Sequence, residues 1–232
     1  MIKKTKQCLW LIDLDDTIHF TGGEIMNRIN ILMTEYIKIS LNLSLAESTE
    51  LRIKYWKKYG ATSAGLIKNH KINLINFLEY THNIEGLSKL ITYKHGLKNR
   101  LASLKGIKWI LTNSYGAYAK KVLKTCNLLG SFEKILSIEN MRELGGIRPK
   151  PSRVLWKKIL KNFRFKKLKI VVVDDSLVNL KSAKIAGFVT VWVTNFRFHK
   201  KEKNYFGFKP SFVDFKIRQI DDLLNINKKI KN

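Results

Sequence analysis

The sequence predicts an α/β fold: a parallel sheet with helices on both faces and an all-helical insertion after the first strand. Three observations predict it. Short apolar runs without polar alternation recur along the chain, as strands buried on both faces require. Helix-like segments separate the later runs, which favours parallel crossovers over hairpins. About ninety residues lie between the first run and the second, far more than one crossover needs.

The runs are Cys8 to Leu14, Ile107 to Leu111, Ile170 to Val173 and Val189 to Val193. A helix over residues 115–127 follows the second run. Another over 177–186 follows the third, with Ser176 near its start and Gly187 just past its end, as capping preferences favour. A weaker strand, Phe212 to Ile217, precedes a short helix at Asp221. Within the insertion, Ile25, Ile29, Leu32, Met33 and Tyr36 share one helical face, and further helical pieces surround Leu51, Tyr55 and Leu74 to Leu78. The expected division is a Rossmann-like core of residues 1–20 and 95–232 and a helical unit of residues 21–94.

Composition bounds the function. A chain of 232 residues that is 45% hydrophobic and 11% aromatic can bury a full core, which excludes general disorder. The net charge of +26 is what a polyanion-binding protein would carry. Its lysines, however, are spread evenly beside Ile and Asn, as in "NINKKIKN". All three residues have AT-rich codons, so base composition accounts for the charge and a nucleic-acid partner is not expected. Long-range attraction of small anionic substrates follows either way. Cys8 and Cys126 have neither metal-site nor disulfide spacing, and Cys8 reads as a buried thiol. The basic "MIKKTKQ" precedes an apolar run that Asp13 cuts short, a poor signal peptide. No run reaches the roughly 18 apolar residues of a membrane span. A cytoplasmic protein without a membrane partner is expected; oligomeric state is not legible.

Chemistry concentrates where the apolar runs end, the edge at which open α/β sheets bind ligands. The first run leads into Asp13, Asp15 and Asp16, the second into Thr112, Asn113 and Ser114, and the third into Asp174 and Asp175. Lys150 lies between Pro149 and Pro151. Residues two apart on an extended chain point the same way, so Asp13 and Asp15 are expected to face one pocket. Three converging carboxylates need a cation, and oxygen-only ligands suit Mg²⁺. Thr112, the Asn113 amide and Lys150 are the donors a phosphate group requires. Singly, each of these residues reads as a turn, a cap or a surface lysine; their order and spacing argue for a metal-and-phosphate site.

"DLDDT" (Asp13 to Thr17), Thr112, Lys150 and "VVVDDSLVN" (Val171 to Asn179) resemble the four motifs of the haloacid dehalogenase superfamily of phosphohydrolases. The insertion lies where that superfamily carries its first type of cap domain. The resemblance implies that Asp13 is the nucleophile, Asp15 the general acid and base, and Thr112 and Lys150 the phosphate ligands. It also implies Mg²⁺ held by Asp13, the Asp15 carbonyl and Asp175, with Asp174 close by. The dehalogenases of the superfamily lack an aspartate at the position of Asp15. Asp16 is expected to be a solvated turn residue. "YWKKYGATSAGLIKNHKIN" (Tyr55 to Asn73) and "ENMRELGGIRPKPS" (Glu139 to Ser152) resemble pyrimidine 5'-nucleotidases of this superfamily. That implies UMP, CMP or dTMP as substrate, with Tyr59, Gly60 and His70 near the base or ribose. Phosphoglycolate or a sugar phosphate is the alternative substrate, and a basic nucleic-acid-binding protein on the same fold the alternative of another class.

Overall fold

The computed structural model of the protein describes residues 8–163, 168–196 and 207–231; the basic segment 1–7 lies outside the described residues. In chain order the strands are β1 (Cys8–Ile12), β2 (His19–Phe20), β3 (Thr92–Tyr93), β4 (Ile107–Leu111), β5 (Lys134–Leu136), β6 (Lys169–Asp174), β7 (Val189–Val193) and β8 (Phe215–Ile217). Six of them form one parallel sheet in the order β5-β4-β1-β6-β7-β8. The fold is a Rossmann-like α/β fold, as the apolar runs predicted.

Alternation across the pleat shows why the runs are apolar throughout. Cys8, Trp10 and Ile12 face one helical layer, α6 (Leu97–Ser103), α7 (Gly116–Thr125) and α10 (Leu223–Lys231), through Leu101, Val122 and Ile230. Leu9 and Leu11 face the other, α8 (Arg153–Phe163) and α9 (Leu177–Ile185), through Trp156, Ile159 and Leu180. With both faces covered, an inward polar residue has no solvated side to turn to.

The insertion holds α1 (Glu24–Leu41), α2 (Leu45–Tyr59), α3 (Thr62–His70), α4 (Leu74–His82) and α5 (Leu87–Leu90). A capping box starts α2: Glu47 N donates to Ser44 Oγ at 3.3 Å and Ser44 N to Glu47 Oε2 at 2.9 Å. Helix α1 packs in two places. Ile25 and Ile29 join the sheet's cluster together with Ile84 and Leu87, whereas Ile37 joins a second cluster of Tyr55, Leu66, Leu74, Phe77 and Leu78. Where the insertion leaves and rejoins the core, His19 pairs with Tyr93 and Phe20 with Thr92 in a short antiparallel ribbon.

The structure departs from the sequence reading in three places. β1 ends at Ile12 rather than Leu14, because the chain turns there: Asp16 takes φ 55° and Ile18 N returns to Leu14 O at 2.8 Å. The late strand covers Phe215–Ile217 alone. Neither β5 nor the ribbon was predicted.

Gly60 closes α2 at φ 82°, and a Cβ there would meet the carbonyl oxygen of Lys150 at 2.4 Å. Gly86 has φ 65° and open space around it. Gly60→Ala is therefore expected to cost about 3 kcal/mol or more in urea unfolding, strain plus overpacking, and Gly86→Ala only about 1–2 kcal/mol from strain. Equal losses would mean that the close approach at Gly60 does not exist in solution.

Candidate active site

Strand register brings the first acidic pair together. Ile12 lies beside Val173, and Asp13 N donates to Val173 O at 2.9 Å, so Asp13 and Asp174 stand side by side at the ends of adjacent strands. The Lys150 ammonium bridges them, 2.7 Å from Asp13 Oδ1 and 2.8 Å from Asp174 Oδ2. Among the described residues Lys150 is the only lysine or arginine that is buried, at 2% exposure in a chain with 44 of them. Asp174 also accepts from Ser176 N at 2.8 Å and from Asn179 Nδ2 at 3.1 Å. Ser176 precedes α9 as expected, but its side chain makes no cap bond.

Burial drives the Asp13 carboxyl well above its usual pKa. Lys150 opposes that rise, and Asp174 and Asp175 add to it. Burial alone would lower the Lys150 ammonium; the charges of Asp13 and Asp174 outweigh it and hold the group protonated. Ligand oxygens of Asp13, Asp174 and Asp175 all lie within 4.8 Å of one another. Carboxylate oxygens from three residues thus converge into one oxygen-only donor set. A hard, oxygen-liganded cation such as Mg²⁺ fits that donor set.

The loop carrying Lys150 is clamped by Asn113. Lys150 N donates to Asn113 Oδ1 at 2.9 Å, and Asn113 Nδ2 donates to Lys150 O at 2.9 Å and to Gly60 O at 3.4 Å. The side chain of Asn113 thus positions Lys150, while among the described residues its own backbone N–H meets no acceptor. Buried Thr112 accepts from Ser114 N at 3.0 Å, and its hydroxyl proton meets no acceptor among the described residues. Two donors beside a buried ammonium are what an incoming phosphate needs.

Asp15 belongs to a different environment. It lies past the end of β1, in the turn that follows Ile12. Its carboxylate accepts from Ser114 Oγ at 2.6 Å and Tyr118 OH at 2.7 Å, and lies 2.9 Å from His19 Nε2. Burial would raise its pKa, but His19, Ser114 and Tyr118 together bring it down to about 2. The sequence reading did not anticipate His19 or Tyr118, and left Ser114 without a role. Asp16 needs correction. It is a turn residue, but buried rather than solvated, and its Oδ1 accepts from Thr21 N at 3.0 Å and Thr21 Oγ1 at 2.9 Å.

The candidate residues of the insertion are spread out. Gly60 abuts the Lys150 loop. Tyr59 accepts from Asn69 Nδ2 at 3.3 Å, between the ammonium groups of Lys58 and Lys68. His70 Nε2 lies 2.7 Å from Tyr55 OH. The partners of Tyr59 and His70 lie within the insertion, not among the carboxylates.

Lys150→Met would leave Asp13 and Asp174 buried without their cation. In metal-free buffer at neutral pH the expected loss is about 3–5 kcal/mol of unfolding free energy. Protonation of the two carboxylates relieves the defect, so the loss shrinks as pH falls through the carboxylate range. A loss that stays constant with pH would refute the ion-pair account.

Residues 10–187 match a family model described as haloacid dehalogenase-like hydrolase. Phosphate metabolism protein 8 of Saccharomyces cerevisiae is 26% identical over 137 residues, which are 55% of this chain and 42% of that protein. The chain thus matches less than half the length of this curated relative. Among solved structures, a HAD phosphatase from Thermococcus onnurineus superposes with TM-score 0.57 at 19% identity, over 95% of this chain and 97% of that one. YfnB of Bacillus subtilis, a candidate HAD-hydrolase bound to magnesium, does so with TM-score 0.56 at 16% identity, over 96% and 99%. Among the described residues no helix is long and apolar enough to cross a membrane. The family model covers most of the chain, and the chain belongs to the haloacid dehalogenase-like hydrolases.

Proposed function

We propose that the protein is a Mg²⁺-dependent phosphomonoesterase that cleaves nucleoside 5'-monophosphates, pyrimidine nucleotides such as UMP, CMP or dTMP first. The observation that carries this reading is the division of two neighbouring aspartates between two environments. Asp13 sits against the Lys150 ammonium, with Asp174 and Asp175 near by. Asp15 sits in a cradle of three side chains. Carboxylates held apart electrostatically take different roles in one reaction.

In this reading an Asp13 oxygen attacks phosphorus and the ester P–O bond breaks, leaving an aspartyl-phosphate. The departing alkoxide takes a proton from Asp15. Asp15 then removes a proton from water, which attacks phosphorus, releases phosphate and restores Asp13. Lys150, the Thr112 hydroxyl and the Asn113 amide offset the charge on the transferring group. Mg²⁺ held by Asp13, the Asp15 carbonyl, Asp174 and Asp175 would neutralise the remainder. Free Asp15 is an anion at neutral pH, so it gains its proton only when substrate loosens its cradle or sets a negative charge beside it. Residues 21–94 act as a cap that excludes water from the intermediate. The nucleotide assignment is supported by the resemblance of Tyr55 to Asn73, a segment whose Gly60 touches the Lys150 loop.

Kinetics on UMP, CMP, dTMP, AMP, phosphoglycolate and sugar phosphates test the substrate class; lack of preference for the pyrimidine nucleotides would refute that assignment. Asp13→Asn is expected to abolish turnover while the fold persists, since the amide is a poor nucleophile. Asp15→Asn should slow kcat by roughly 10²–10⁴. Chelation of divalent metal should stop the reaction, and Mg²⁺ restore it. Full turnover by Asp13→Asn would overturn the mechanism.

A further inference from the structure

His82 ends α4 and has no part in the reaction described above. Its Nδ1 lies 3.0 Å from Leu78 O and 3.0 Å from Thr81 Oγ1. A carbonyl oxygen can only accept, so Nδ1 carries the proton and Nε2 of the neutral ring keeps a bare lone pair. Nε2 has no hydrogen-bond partner among the described residues. The ring lies against those of Tyr118 and Tyr115, with centroids 5.4 and 6.1 Å away. The Tyr118 hydroxyl is the one that holds Asp15 at 2.7 Å. A single aromatic ring therefore spans from His82 to the proposed acid and base, and the Asp15 charge is felt at the imidazole. Burial pulls the His82 pKa down to about 4, so the ring is uncharged at neutral pH.

An unpartnered acceptor one aromatic ring away from Asp15 bears on which alcohol can leave. A cationic imidazole would attract a carboxylate; a neutral one presents its lone pair and repels it. A hydroxyl, by contrast, can donate to that lone pair. We propose that His82 is a specificity-determining residue whose Nε2 accepts a hydrogen bond from a hydroxyl of the leaving alcohol. The site then favours sugar-type esters, nucleotides included, over esters that carry a carboxylate, such as phosphoglycolate. This inference rests on the phosphomonoesterase reading and narrows it.

Two substitutions separate the ring's two nitrogens. An Asn amide reaches the Nδ1 position and can keep the bond to Leu78 O; a Gln amide reaches the Nε2 position and can keep the acceptor. Kinetics of the native chain, His82→Asn and His82→Gln on ribose 5-phosphate, phosphoglycolate and p-nitrophenyl phosphate provide the test, with thermal melts alongside. In His82→Asn the ratio of kcat/KM for ribose 5-phosphate to that for the aryl ester should fall about 10-fold, the worth of one hydrogen bond. In His82→Gln it should fall less, even where the melting temperature falls more. A ratio unchanged in both variants, or lowered equally in both, overturns the role of His82 and leaves the phosphatase reading standing. So does a native preference for phosphoglycolate over ribose 5-phosphate. Failure of the native chain to cleave any of the three esters or UMP overturns both.

Discussion

The buried ammonium of Lys150 between Asp13 and Asp174 is the interaction on which the rest of the site depends. Removing three charged groups from water is costly unless geometry and further hydrogen bonds compensate. Here the geometry comes from the sheet: adjacent strands in parallel register end at the same level and set two carboxylates next to each other. The further bonds come from Ser176 N and Asn179 on one side and from Asn113, which grips the backbone of Lys150, on the other. Four separate stretches of chain thus meet at one positive charge. The close approach of Gly60 to the Lys150 carbonyl adds a fifth from the insertion.

That arrangement divides the site electrostatically. Around Asp13, burial and neighbouring carboxylates make negative charge unwelcome and make a cation welcome. Around Asp15, a few residues along, three side chains stabilise the anion. In the proposed reaction this contrast has a direction. The nucleophile waits for positive charge to arrive with the metal, and the acid waits for negative charge to arrive with the substrate. Neither carboxylate is ready alone, which ties both to the presence of ligand.

Much of this was legible in the sequence, for a physical reason. Strands covered on both faces must be apolar throughout, so β1, β4, β6 and β7 stood out as runs, and the polar residues that end them stood out by contrast. Asp13, Thr112, Lys150, Asp174 and Asp175 were visible because they interrupt a pattern. The ribbon of His19–Phe20 with Thr92–Tyr93 interrupts nothing, since two residues carry no periodicity. The same holds for β5, three residues beginning with a lysine. Ser114 and Tyr118 reach Asp15 from about a hundred residues away and look like ordinary helix-start residues until the chain folds. His19 was the one partner close in sequence, four residues after Asp15. The partners of Asp15 were not legible because the alternation of β1 stops at Ile12, and a turn rather than a strand carries Asp15.

The ribbon has one more implication. His19 is both a strand residue of that ribbon and the imidazole that holds Asp15. The two crossings that attach the insertion and the orientation of the Asp15 carboxylate therefore share a single anchor. In this chain the attachment of the insertion and the cradle of Asp15 are joined through one side chain, that of His19.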